Sequence, residues 1–304
     1  MYDILIKTSV FLFMMLLGYV FKKKESFDSN FVSFLSKVIM SVTLPATILL
    51  TVPKFEFNKI SLFILLSGII PSVILGFVAK YTFLNAKANK RASVMVLASC
   101  YSIGNMTIPF VASIFPGEGM QIVSTFDVGN AITLFGIMFI LAKHELNEAN
   151  GLPKLNDIVQ TLIKSIPFLT YCLIIVLSLL HIQIPDIIRT MLAPVSGANA
   201  FLTMFMVGAS LNLSFNKNLI TDSLKILSIR LVGLLFLSIV LYFFIPIPTF
   251  TKNIVLLCLA SPIATVSVIH SQKFDHNNQL APFVTSLSML IGIVVMAGIT
   301  MILF

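Results

Sequence analysis

The chain has 304 residues, of which 58% are hydrophobic and 11% charged, with a mean hydropathy of +1.02 and a formal net charge of +8. A soluble domain of this length carries about 25% charged residues, so there is too little polar surface to coat a water-soluble globule, and the apolar excess must face lipid. The positive charge does not mark a nucleic-acid binder: the Lys and Arg residues stand in short segments between apolar runs, where they orient a membrane protein.

The first run, residues 4–21, has Asp3 and Lys7 near its start and Lys22, Lys23 and Lys24 just after it. No small-x-small cleavage site follows, so it reads as a retained helix rather than a cleaved leader. Further runs follow at 31–52, 60–84, 92–115, 120–142, 158–181, 187–213, 223–245, 251–271 and 279–303. Each approximates the roughly 20 residues that cross a hydrocarbon core of about 30 Å. The longest connection, 144–157, is too short for a soluble domain.

Charge tests this count. With the N-terminus outside, thirteen Lys and Arg residues fall in inner segments, against five (Lys7, Lys54, Lys59, Arg189 and Lys252) in outer ones. This bias predicts ten transmembrane helices in the cell (inner) membrane with both termini extracytoplasmic. Trp is absent, so Tyr2, Tyr19, Tyr81 and Tyr242 must supply the interfacial belt. Ten helices divide into two fives, residues 1–143 and 158–304, joined by a short cytoplasmic connector at 144–157. An odd-numbered unit repeated in tandem is inverted in the membrane. Leu97-Ala98-Ser99 in helix four and Leu259-Ala260-Ser261 in helix nine are a faint internal match. The expected fold is therefore an all-α membrane protein of two inverted five-helix repeats.

Two runs are interrupted at corresponding places. Helix four passes from Cys100 through Ser102, Gly104, Asn105 and Thr107 to Pro109, and helix nine from Ala260 through Pro262 and Thr265 to Ser267. Proline removes a backbone donor and clashes with the preceding turn. Breaks at membrane depth are tolerated where freed backbone groups face protein or a water-filled cavity, and paired breaks in the two halves point to a binding site. The candidate substrate-binding residues are Ser102, Asn105, Thr107, Pro109, Asn130, Pro262, Thr265 and Ser267. Half-helix N-termini there present N–H groups and positive dipole ends suited to a carboxylate. The bland alternative is a pair of structural kinks.

Helix five holds the one acidic residue deep in any run, Asp127, on a face with Ser124 and Asn130. A carboxyl group in a span is a functional-site hypothesis by default, here an ion-coupling site for a proton or sodium. The competing reading is a hydrogen-bond anchor for the broken helix four. Lys37 and Arg230 sit within two turns of predicted inner ends, and snorkelling is the expectation for both, with a substrate counter-ion role as the alternative for Arg230. His270 reads as a polar helix end. Asn199 is mid-span in helix seven, among small residues that favour close packing.

No enzyme is indicated. His144-Glu145-Leu146-Asn147-Glu148 begins like a zinc-binding HExxH but lacks the second His, and there is no P-loop. Asp127-Val128-Gly129-Asn130 reverses the order an intramembrane aspartyl protease needs. Cys100, Cys172 and Cys258 lie inside apolar runs without a CxxC pair and read as packing residues. No cofactor or metal is expected.

At these residues the chain resembles the auxin efflux carrier family of bacterial permeases and plant PIN-like carriers, over nearly its whole length. The similarity runs through Gly18 to Lys22, Leu35-Ser36-Lys37 with Leu44-Pro45, Gly104 to Pro109 and Phe126 to Asn130. It continues in Gly197 to Ala200, Val207 to Leu211 and the segment after Pro262. The chain departs from the pattern at Ser102, where relatives often carry Asn, at Thr107, where they often carry Gly, and at Val266, where they often place a polar residue. The resemblance implies that helices four and nine cross at their breaks within a transport domain, with helices one, two, six and seven as scaffold. It also implies a secondary transporter for a small organic anion such as malate, malonate or an auxin-like acid, working by elevator-like alternating access, with a homodimer through the scaffold as a further expectation. The alternatives are a sodium-coupled symporter resembling the bile-acid carriers, and a passive channel or sensor.

Overall fold

The computed structural model of the protein describes residues 2–25, 29–51, 58–115, 117–146, 159, 163–211, 217–275 and 279–304. Among them every regular element is helical. In chain order they are α1 (Tyr2–Glu25), α2 (Ser29–Val38), a π-helical turn (Ile39–Thr43), α3 (Leu44–Thr51), α4 (Lys59–Thr82) and α5 (Ala88–Ser99). A second π turn (Ile103–Thr107) leads into α6 (Ile108–Ile114), and α7 (Glu118–Ile132) continues through a third (Thr133–Ile137) into α8 (Met138–Glu145). Then come α9 (Ile166–Leu179), α10 (Asp186–Ser210), α11 (Lys217–Phe244), α12 (Thr249–Leu259), α13 (Thr265–Phe274) and α14 (Leu280–Leu303).

Six of these stretches are long and apolar enough to cross a membrane: Phe31–Leu50, Lys59–Thr82, Glu118–Glu145, Asp186–Ser210, Leu219–Phe244 and Leu280–Leu303. Shorter apolar helices occupy Ile103–Ile114, Ile166–Leu179 and Thr249–Leu259. The protein is thus a multi-pass helical membrane protein. Within the run expected at 158–181, Val159 and Ile163 are helical and a new helix starts at Ile166, where Ser165 caps it by accepting from Phe168 N at 3.4 Å and Pro167 occupies the first turn. Most of the expected connector, from residue 147 onward, lies outside the described residues.

On α11 the exposed stripe from Val232 to Phe243 is apolar, as lipid requires, and Ser223 and Arg230 lie on the buried one. Along α11 the residues Val232, Leu235, Phe236, Ile239 and Phe243 are exposed, while Ser223, Ile226, Leu227, Arg230 and Leu234 are buried. Both sets recur at helical spacing, so one stripe faces outward and the other the protein. Charged residues at one rim tie helices together. Glu145, at the end of α8, pairs with Lys80 of α4 at 2.6 Å and with Arg91 of α5 at 2.7 Å, and Lys90 pairs with Asp222 of α11.

Packing between helices depends on missing side chains. α1 crosses α10 where a Cβ on Gly208 would overlap the Met15 carbonyl, and α4 crosses α7 where a Cβ on Gly129 would overlap the Leu65 carbonyl. With lipid as solvent, close van der Waals approach of backbones replaces the hydrophobic drive. The second crossing fixes the height of the residues next to Gly129, which are the polar ones of helix five.

Candidate functional site

The two interrupted helices meet. α5 ends at Ser99 and the chain runs extended through Cys100 and Tyr101, while α12 ends at Leu259 and the chain runs through Pro262 to Ala264 before α13 begins. Tyr101 and Ile263 form an antiparallel bridge, with Ser102 N donating to Pro262 O at 2.8 Å and Ala264 N to Cys100 O at 3.3 Å. Tyr101 and Ile263 are therefore a non-hydrogen-bonded pair, and their own N–H and C=O groups point away from each other's strand. Buried backbone groups need partners, and side chains supply them. Asn130 of α7 accepts from Tyr101 N at 3.1 Å and donates to Tyr101 O at 3.0 Å. Ser288 of α14 accepts from Ile263 N at 3.0 Å.

A cavity opens beside this crossing. Its polar lining includes Ser102, Asn105, Asp127, Asn130, Ser165, Tyr171 and Thr265, and its apolar wall includes Met40, Leu44, Leu134, Phe135, Phe168 and Val266. All three π turns contribute to it: Met40 from the first, Ile103, Gly104 and Asn105 from the second, and Leu134 and Phe135 from the third. Such turns re-aim side chains by adding a residue to the helical repeat, and they concentrate at functional sites.

Asn105 and Thr265, one from each broken helix, meet directly: Asn105 Nδ2 donates to Thr265 Oγ1 at 2.9 Å. Asn105 Oδ1 has no protein partner. Asp127 is buried and held on both oxygens, by Asn130 Nδ2 at 3.1 Å and by the Tyr171 hydroxyl at 2.8 Å. Both donors of Asn130 are thus engaged, on Tyr101 and on Asp127. Ser124 is buried on the same helix.

The remaining residues singled out in the sequence lie off the cavity. Thr107 is fully buried in the second π turn, and Pro109 follows it in α6. Pro262 lends its carbonyl to the bridge, and Ser267 is buried in α13. Asn199 accepts from Thr43 Oγ1 at 2.8 Å, away from the cavity lining. His270 is buried beside Phe139, with ring centroids 4.7 Å apart.

One expectation is overturned. Arg230 does not snorkel. It is buried, and its guanidinium donates to Ala98 O at 2.8 Å, Cys100 O at 3.2 Å and Ser261 O at 2.6 Å. The carbonyls freed at the ends of α5 and α12 offer it better partners than a distant interface. Tyr171 is a site residue outside the sequence motifs. Its hydroxyl in the apolar helix α9 was the available signal, because a buried phenol seeks a polar partner.

A multi-pass helical bundle with a polar cavity at two mutually paired helix breaks is the build of a membrane carrier. The family model described as "Membrane transport protein" matches residues 4–300. The chain therefore belongs to that family of membrane transporters, the auxin efflux carrier family to which its motifs are similar. It is also similar to an "Uncharacterized transporter" of Methanothermobacter thermautotrophicus (strain ATCC 29096 / DSM 1053 / JCM 10044 / NBRC 100330 / Delta H), with 24% identity over 226 residues, 73% of this chain and 72% of the relative. Membership of a transporter family agrees with the reading that the protein is not an enzyme.

Proposed function

We propose that the protein is a secondary active transporter that moves a small organic carboxylate across the inner membrane by elevator-like alternating access. It has ten transmembrane helices in two inverted repeats and both termini outside. The observation that carries the reading is the cavity at the crossing, where Asn105 of one broken helix and Thr265 of the other meet at 2.9 Å. In this reading Asn105, Thr265 and Ser102 bind the substrate, Asn130 holds the extended backbone that presents them, and Asp127 exchanges the coupling proton. The repeat is supported by a relation that recurs in each half. Tyr101 is bound by a side chain 29 residues later and Ile263 by one 25 residues later, each from the helix that follows the break. Tyr171 of helix six reaches Asp127 of helix five, so the bond joins the scaffold to the transport domain and must yield when one slides past the other.

The test is a thermal-shift screen of purified protein against C2 to C6 mono- and dicarboxylates and aryl-acetic acids, with and without sodium, because a ligand that prefers the folded state raises its melting temperature. The expected result is a carboxylate that stabilises the wild type, loses at least tenfold in affinity with Asn105→Ala, and shows counterflow in proteoliposomes. Stabilisation that requires sodium would favour the sodium-coupled alternative. Single-channel currents without saturation or counterflow would replace the carrier with a channel.

A further inference from the structure

Four helix ends converge at the crossing, and they are not treated alike. The two N-terminal ends open on the cavity: Ile103, Gly104 and Asn105 begin the half-helix Ile103–Ile114, and Thr265 and Val266 begin α13, and all five line the cavity. The two C-terminal ends are bound by one side chain. Arg230 donates to the Ala98 and Cys100 carbonyls that end α5 and to the Ser261 carbonyl that follows α12. Its guanidinium also lies 4.6 Å from the centre of the Tyr101 ring, which lines the cavity. Among the described residues, none of the ion pairs includes Arg230.

A helix C-terminus carries roughly half a negative charge and an N-terminus roughly half a positive one. Two C-terminal ends therefore about match one guanidinium. Left bare, they would cancel the two N-terminal ends a few residues away, and a neutral crossing would have no preference for an anion. The one carboxyl group among the described residues of the cavity wall is Asp127, which repels anions when ionised. The positive bias must come from behind the wall.

We propose that Arg230 is the charge-selectivity residue of the site: by neutralising the C-terminal ends of both broken helices, it leaves their N-terminal ends to set a positive potential in the cavity. Arg230 does not touch the substrate. It acts through the backbone it holds and through its own charge, and this explains how an anion enters a cavity whose lining charge is acidic. The inference deepens the carboxylate-carrier reading and rests on it. It predicts that charge at position 230, rather than the shape of the side chain, sets the preference.

The test reads potential without any substrate. Ser102 lines the cavity. In a full-length protein with Cys100, Cys172 and Cys258 replaced by Ala, Ser102→Cys is labelled with anionic sulfonatoethyl and cationic trimethylammonioethyl methanethiosulfonate. Each rate is normalised to that of a free thiol. Arg230→Gln should lower the anion-to-cation rate ratio at least tenfold, and Arg230→Lys should keep it within threefold. An unchanged ratio in Arg230→Gln, or an equal fall in Arg230→Lys, would overturn the inference while leaving the carrier reading intact. Should Arg230→Gln not fold, Asp127→Asn with Arg230 present decides. The cavity should then favour the anionic reagent, and a ratio at or below one overturns the proposal. Failure of both reagents to reach Cys at position 102 would count against the open cavity itself, and so against both readings.

Discussion

The side-chain amide of Asn130 pairs with both backbone groups of Tyr101, accepting from its N–H at 3.1 Å and donating to its C=O at 3.0 Å. It takes the place of a neighbouring strand that a helical protein does not have. Leaving two buried backbone groups unpaired costs about 1–3 kcal/mol each. Asn130→Ala should therefore lower stability by about 2–6 kcal/mol in detergent. Asn130→Asp should not rescue it, because a carboxylate cannot donate to Tyr101 O and would face Asp127. Chemical denaturation of both variants is the measurement, and a wild-type midpoint for either would remove the strand-substitute role.

Asp127→Asn keeps the shape of the side chain and one acceptor for the Tyr171 hydroxyl, but it cannot titrate. If Asp127 carries the coupling proton, the variant folds and binds substrate yet loses accumulation driven by a pH gradient, while counterflow exchange survives. Uphill transport with an unaltered pH profile would make Asp127 the anchor of the broken helix instead. Uptake and exchange in the same proteoliposomes separate the two.

The hydrogen bond from Tyr171 to Asp127, at 2.8 Å, joins helices that the elevator reading places in different domains. Tyr171→Phe should cost about 1–3 kcal/mol by leaving a carboxylate oxygen unpaired. In a double-mutant cycle with Asp127→Ala, which removes the acceptor, the coupling energy should exceed about 0.5 kcal/mol, the usual limit for independent sites. Additive effects would mean that the bond contributes nothing in solution.

Gly129 sets the spacing of α4 and α7, since a Cβ there would overlap the Leu65 carbonyl. Gly129→Ala should destabilise by about 1–3 kcal/mol through overpacking. It should also weaken substrate affinity, because the strain moves Asp127 and Asn130 together. Affinity unchanged beside a lowered melting temperature would show that the crossing supports the fold but not the site.

Membrane residence, helical class and the positions of both breaks were legible in the sequence. They follow from quantities that local residues determine: the length of an apolar run against the bilayer, the backbone chemistry of Pro262, and the small polar stretch from Ser102 to Pro109, at whose start the first break falls. The depth of Asp127 and its shared face with Asn130 follow from helical spacing in the same way. The start of α9 at Ile166 was also in the sequence, in Ser165 and Pro167, but hydropathy outweighs a cap in an apolar run.

What only the tertiary structure decided is which polar groups are spent and which are free. Asn130 resembles a ligand residue in the sequence, yet its donors are committed to Tyr101 and Asp127, because the non-hydrogen-bonded register of Tyr101 with Ile263 leaves that backbone unpaired. Arg230 resembles a snorkelling cation, yet it is drawn inward by three carbonyls from two segments that lie 31 to 132 residues away along the chain. The π turns around the cavity are invisible to hydropathy, since one extra residue per turn leaves an apolar run equally apolar. A residue's own chemistry fixes what it can bond. Its bonds depend on which distant backbone the fold has left unsatisfied beside it, and no local pattern records that.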